Sequence, residues 1–325
     1  MNTAPLPLPT AVAAALRAGA PLALSISGGK DSQAMLDSLA RHPDRHLWPG
    51  RLLCLHADLG RMEWPQTERE VREQVARYGL PLEIVRRPRG DLLSRMHDEM
   101  IRTAAAGAPF WPTATKRYCT AEMKRDQLIK VQRRLGPLVV CAQGIRAEES
   151  PGRARRSPLT IEKRLTASRL AAMTPDEALD ARRPDERLVL NWLPIHEFDE
   201  AAVWRACGTS IEELARRRML YRIATAGRDR ALRARALAGW PAHLAYIYGT
   251  SRLSCALCVL ASKDDIGIGA LHNPGLYCTL AAMELATGFG FQPRVGLAVH
   301  APVSAAPDVS DKPLDLVGFG RHLAA

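Results

Sequence analysis

Four short apolar runs set the architecture of this chain: LALSIS at 22–27, RLLCLHAD at 51–58, PLEIVRR at 81–87 and PLVVCAQG at 137–144. Each reads as a strand, and helical patterns fall between them. DSQAMLDSLARH follows the first, QTEREVREQVARYG with its stop at Gly79 follows the second, and AEMKRDQLIKVQRRLG precedes the fourth. Strands alternating with helices predict an α/β fold with a doubly wound, mostly parallel sheet, in which ligands gather at the carboxyl ends of the strands.

Beyond residue 150 the texture changes. EESPGRARRSPLTIEKRLTASR is basic, rich in turn residues and without a sustained period, so a surface loop or lid is expected. LVLNWLPIHEFDEAAVWRAC returns a strand and then a helix capped by Asp199. From about 211 the pattern is helical and arginine-rich as far as the cysteines at 255 and 258, and the prolines after about 296 predict an extended arm. The expected division is a nucleotide-binding domain over 1–200 and a helical, cysteine-bearing region over 201–325. The chain holds 325 residues, 47% hydrophobic and 24% charged, which fits a soluble globular protein with a sizeable core. No apolar run reaches the roughly 18 residues of a membrane span, and no basic segment precedes the N-terminal apolar stretch. The expectation is a cytoplasmic protein with no membrane partner.

The first strand ends in SISGGKDS. There Ser27, Gly28, Gly29, Lys30, Asp31 and Ser32 hand over to a helix. Two glycines let backbone amides approach a phosphate, the helix N-terminus adds partial positive charge, and Lys30 adds a full one. The spacing is neither a Walker A loop nor a dinucleotide glycine fingerprint. An anion cradle is the expectation, and an ordinary tight turn is the alternative. A net charge of +11 favours a polyanionic partner, although only seven of the 45 basic residues are lysine, a bias that a GC-rich genome also produces.

SGGKDS resembles the PP-loop of the N-type ATP pyrophosphatases, the adenine nucleotide α-hydrolase superfamily. Four further stretches resemble its phosphoadenosine phosphosulfate (PAPS) reductase-like branch: LHADLGRMEWPQT, TKRYCTAEMK, GIRAEESPGR and NWLPIHEFDEAAVW. Together they span roughly residues 20 to 260, in order. The resemblance implies an adenine nucleotide as ligand, either ATP with Mg2+ or PAPS or adenylyl sulfate. It implies Lys30 and Asp31 as catalytic residues. It also implies binding by Ser27, Gly28, Gly29 and Ser32 of the loop, by His56, Asp58 and Gly60 after the second strand, and by Gly144, Arg146, Ser150 and Arg153 after the fourth.

Seven cysteines in such a chain point away from a disulfide framework. Cys54, Cys141 and Cys207 sit in apolar or helical surroundings and are expected to be small buried side chains. Cys255-x-x-Cys258 has the spacing of a metal or cluster site. Iron–sulfur reductases of the related branch join such a pair to cysteines after the arginine motif. On that resemblance Cys119, Cys255 and Cys258 are three ligands and Cys278 a candidate fourth, for a 4Fe–4S cluster, with zinc or no metal as alternatives. The reductases also carry a C-terminal nucleophilic cysteine, and here no cysteine follows Cys278. The leading expectation is therefore an ATP pyrophosphatase-type sulfurtransferase acting on nucleic acid, tRNA or DNA, and fed by a sulfur donor such as a cysteine desulfurase. A sulfonucleotide reductase and a non-catalytic nucleotide-binding module are the alternatives.

Overall fold

The computed structural model describes residues 6–292 and 295–300, which pack as two units dividing between Cys255 and Ala256. In the first unit, β1 (Leu22–Ser25), β2 (Leu52–Ala57), β3 (Leu82–Val85), β4 (Leu138–Gln143), β5 (Leu159–Ile161) and β6 (Leu188–Trp192) form one sheet in the order β3-β2-β1-β4-β6-β5. All neighbours are parallel except β5, which runs antiparallel along the outer edge of β6. Leu22 of β1 stands between Leu52 of β2 and Val140 of β4, so the strand order reverses around β1. That is the switch point at which an open α/β sheet leaves a crevice.

The strands read as continuous apolar runs because both faces of the sheet are covered. On one face Leu22, Leu24, Cys54, Val140 and Leu190 pack with Leu36, Leu39 and Val71. On the other Ala23, Leu53, Val139, Cys141 and Val189 pack with Ile129 and Val131. The helices α1 (Thr10–Arg17), α2 (Lys30–Ala40), α3 (Thr67–Ala76), α4 (Leu92–Ala104), α5 (Tyr118–Thr120) and α6 (Asp126–Gln132) accompany the first four strands. Short α7 (Pro151–Ala154) and α8 (Pro175–Ala181) flank β5. Then α9 (Glu200–Ala206), α10 (Ile211–Ala226), α11 (Arg230–Leu237) and α12 (Ala245–Tyr248) build a helical cluster. Its core of Val203, Trp204, Cys207, Leu214, Trp240 and Tyr246 packs on Ala34 of α2.

Two sequence expectations need correction. The stretch 121–136 is not one regular helix: a π-helical turn, Ala121–Arg125, precedes α6, and the Gln127 side-chain amide donates to the Glu122 carbonyl at 2.7 Å. The basic segment after 150 is not all loop. It contains α7, capped by Ser150, and the strand β5, whose three residues are too few to show a period and are extended because β6 offers them an edge. Helix α4, for which there is no sequence expectation, is amphipathic, and Glu99 lies fully buried on the same side as Leu92, Met96 and Thr103.

In the second unit, α13 (Lys263–His272) is capped by the Ser262 hydroxyl and followed by α14 (Pro274–Thr287) and α15 (Leu297–His300). The Glu284 carboxylate accepts the amides of Phe291 and Leu297 and so fixes the chain after α14. The first residues of the expected extended arm are a helical turn, and the remainder lies outside the described residues.

Candidate functional site

The chain leaves β1 through Ile26 and turns at Gly28, where φ is +77°, a left-handed conformation open to glycine at no steric cost. Gly29 then starts α2 from an extended conformation. Two hydroxyls brace the turn. The Ser27 amide donates to Ser32 Oγ at 3.1 Å, and Ser32 Oγ donates to the Gly29 carbonyl at 3.0 Å. The Lys30 amide donates to the Tyr246 hydroxyl at 2.9 Å. The amides of Gly28, Gly29, Asp31 and Ser32 find no acceptor among the described residues. Unused donors at the head of an eleven-residue helix are the makings of an anion seat.

Lys30 does not reach into open space. Its side chain is 4% exposed, with Nζ 3.4 Å from Asp31 Oδ2 and lying over the rings of Tyr246 and Trp204 at 5.6 and 5.9 Å. Arg146, from the turn after β4, donates its Nε to Asp31 Oδ1 at 2.6 Å and its Nη1 to Glu148. Burial is the strongest influence and opposes the Arg146 charge, but Asp31, Glu148 and Glu149 together outweigh it and hold the guanidinium pKa above its ordinary value. Asp31 is thus clamped between an ammonium and a guanidinium. Gly144 makes this junction possible: a β-carbon there would stand 2.8 Å from the backbone of Asp31 and Ser32. Ser150 and Arg153 make their polar contacts in their own turn. Ser150 Oγ accepts the Arg153 amide at 3.2 Å, and the Arg153 guanidinium pairs with Glu149.

At the end of β2, His56 is buried beneath the loop, its Nδ1 2.9 Å from the Ile26 carbonyl and its Nε2 3.4 Å from Glu63 Oε2. Burial is the strongest influence and disfavours protonation of this ring, yet Glu63, the Ile26 carbonyl and Asp58 together outweigh it and raise the pKa above 6.5. Asp58 accepts the Gly60 amide at 2.7 Å and Arg86 Nε at 2.6 Å.

These residues sit on the carboxyl edge of a parallel sheet at its switch point, which is also where the sequence comparison falls. The family model described as phosphoadenosine phosphosulfate reductase domain matches residues 21–213. The chain belongs to that family. Among curated proteins none matches. Three solved structures are similar to this reductase-family chain. One is the U34-tRNA thiolase NcsA from Methanococcus maripaludis with its 4Fe–4S cluster, 17% identical with a TM-score of 0.36 over 58% of this chain and 57% of that one. A second is the FMN adenylyltransferase of Candida glabrata with FAD and inorganic pyrophosphate, 14% identical with a TM-score of 0.30 over 57% and 47%. The third is the NAD+ synthetase of Burkholderia pseudomallei, 18% identical with a TM-score of 0.28 over 42% and 59%. This chain therefore spans about half of each.

The reductase-family domain also uses residues that its motifs do not announce. Tyr246 and Trp204 form the sleeve around Lys30, and the Cys207 thiol donates to the Lys30 carbonyl at 3.3 Å. Burial pushes the Cys207 thiol pKa far up and that of Cys54 and Cys141 to about 12, so all three stay protonated and packed. The Gln74 amide donates to the Gly28 carbonyl at 3.1 Å and so holds the far side of the turn. Only the sleeve's aromatic residues left a trace in the sequence, and that trace is the same as for any helical core.

Cys119 lies half-buried in the single turn of α5, beside a cleft of about 530 Å³ lined by Arg95, Glu99, Arg102, Lys116, Arg117 and Arg125. The buried Glu99 carboxylate receives Arg102, Lys116 and Arg95, which hold its pKa well below the usual range. Cys255 ends the first unit. Cys258 and Cys278 belong to the second, where Cys258 Sγ accepts the Leu260 amide at 3.4 Å. An amide directed at a sulfur, and partial exposure of all four thiols, suit metal-binding thiolates in kind. Some of the arginine run is structural: Arg217 and Arg218 donate to carbonyls at 236, 238, 246 and 250 within the helical cluster.

Proposed function

We propose that this chain is a PP-loop enzyme that seats the phosphates of ATP on residues 27–32, cleaves the nucleotide between its α- and β-phosphates, and uses that activation to deliver sulfur to a nucleic acid. The observation that carries the reading is the set of unused amides at Gly28, Gly29, Asp31 and Ser32, backed by the Arg146 guanidinium at a sheet switch point. In this reading an acceptor oxygen attacks the α-phosphorus, the bridging bond breaks, and the negative charge gathering on pyrophosphate is met by those amides. Arg146 exchanges a carboxylate partner for a phosphate oxygen, and Lys30 keeps Asp31 in place, with Asp31 as the carboxylate to hold Mg2+ accompanying the nucleotide.

Cys119, Cys255 and Cys258, with Cys278 as the fourth, would hold an iron–sulfur cluster, zinc being the alternative, and such a cluster would supply an iron that can bind sulfide, released when a thiol reductant cleaves the persulfide of a donor protein such as a cysteine desulfurase. The positive excess in the cleft beside Cys119, five cationic side chains against two carboxylates, supports a DNA or tRNA backbone as the acceptor's carrier. No helix among the described residues is long and apolar enough to cross a membrane.

Pyrophosphate release from ATP tests the reading. Lys30→Met preserves the shape inside the aromatic sleeve and removes the charge, and it should lower the rate on the order of 100-fold while the fold survives. An unchanged rate removes the loop's role. Thiol-dependent sulfite release from PAPS at a comparable rate would install the reductase reading instead.

A further inference from the structure

We propose that His56, Asp58 and Glu63 form a binding site for one divalent first-row transition-metal ion at the end of β2. Their ligand atoms all lie within 4.8 Å of one another, and among the described residues no other trio of His, Cys, Asp and Glu gathers so closely. The decisive detail is the His56 ring. Its Nδ1 is 2.9 Å from the Ile26 carbonyl, which can only accept, so Nδ1 carries the proton. The neutral ring then has its lone pair on Nε2. That atom is buried, makes no hydrogen bond, and stands 3.4 Å from a carboxylate oxygen of Glu63. Two electron-rich atoms face each other in a buried place, and a cation between them removes the conflict. A proton on Nε2 is the competing solution, but the contact lacks the geometry of a hydrogen bond.

The chain supplies the rest of the shell. His56 and Asp58 are two apart and share one side of an extended segment, and Glu63 returns from the turn Gly60–Met62. Each oxygen of Asp58 is already used once, by the Gly60 amide and by Arg86, and each keeps a second lone pair for a metal. Arg86 is drawn back by Glu68 at 2.7 Å, so it orients Asp58 and does not fill the trio. Met62 and Trp64, the chain neighbours of Glu63 on either side, are both buried. One imidazole with two carboxylates suits Mn2+ or Zn2+ better than the all-oxygen shells of Mg2+ and Ca2+.

Mn2+ is the probe of choice, because thiolates prefer softer ions and the cysteines then compete little. Metal-stripped, nucleotide-free protein titrated with Mn2+, with free ion read by electron paramagnetic resonance, should bind one ion per chain. Glu63→Gln and His56→Gln should each weaken that binding about 10-fold or more. Glu73→Gln, which removes an exposed carboxylate of α3 that pairs with Arg69 away from the trio, should bind as the parent does. Absence of a stoichiometric Mn2+ site in the parent overturns the proposal, as does a Glu63→Gln protein that binds Mn2+ equally well. Glu63→Gln is isosteric and lies at a turn, so it keeps the test valid if the His56 variant fails to fold. No nucleotide is present, so the outcome is independent of the ATP reading.

Discussion

Tyr246→Phe removes one oxygen atom from beneath the nucleotide loop. The hydroxyl is buried, it accepts the Lys30 amide at 2.9 Å, and it also takes the Leu253 amide. Phenylalanine keeps the ring and its edge contact with Trp204, whose centroid is 5.1 Å away, so no cavity opens. What remains is one or two buried N–H groups without an acceptor. Each costs about 1–3 kcal/mol, and the pair is not expected to add fully. A loss of about 2 kcal/mol lowers Tm by roughly 4–8 °C in a unit of this size. The same amide fixes the first turn of α2. If half of the cost falls on the nucleotide-ready loop, ATP Kd weakens about 5-fold. Urea unfolding gives the first number and calorimetric titration with ATP the second. A variant within about 0.3 kcal/mol of the parent, binding ATP equally well, would refute the view that the aromatic roof holds the loop.

Acidification tests His243, which is fully buried, with Nδ1 accepting the Ala245 amide at 3.1 Å and its pKa held down to about 4 by burial. Between pH 6.5 and 4 the unfolded chain binds a proton that the folded one refuses, so stability rises with pH across that window. Going from pH 7 to 5, the parent should lose about 2 kcal/mol more than His243→Gln, read from urea midpoints. His56, whose pKa is raised, contributes in the opposite sense, with stability present below 6.5 and lost as pH climbs through its folded value, and it is common to both proteins. Equal losses in parent and variant would contradict the assignment. Anaerobic purification should yield a brown protein that loses its iron in Cys258→Ser, and a colourless, iron-free parent would remove the cluster.

The sheet could be read in the sequence because strands covered on both faces, such as Leu22–Ser25 and Leu52–Ala57, run apolar until Ser25 and His56 near their carboxyl ends. The loop could be read because Gly28, Gly29 and Gly144 serve backbone geometry, which leaves its mark on residue type. What escaped depends on distant partners. Tyr246 is 216 residues from Lys30, and nothing local to α12 says that its hydroxyl caps another helix. β5 is a strand only because β6 has an open edge, and nothing local to α4 says that Glu99 is buried and neutralised by Arg95 and Arg102. The trio at the end of β2 was visible in part: His56 and Asp58 stood out, while Glu63 carried no expectation of its own.

A crystal structure with α,β-methylene-ATP bears most directly on the central claim. The phosphates should lie against the amides of Gly28, Gly29, Asp31 and Ser32, with Arg146 turned from a carboxylate to a phosphate oxygen. Phosphates bound anywhere else, with those amides untouched, would contradict it.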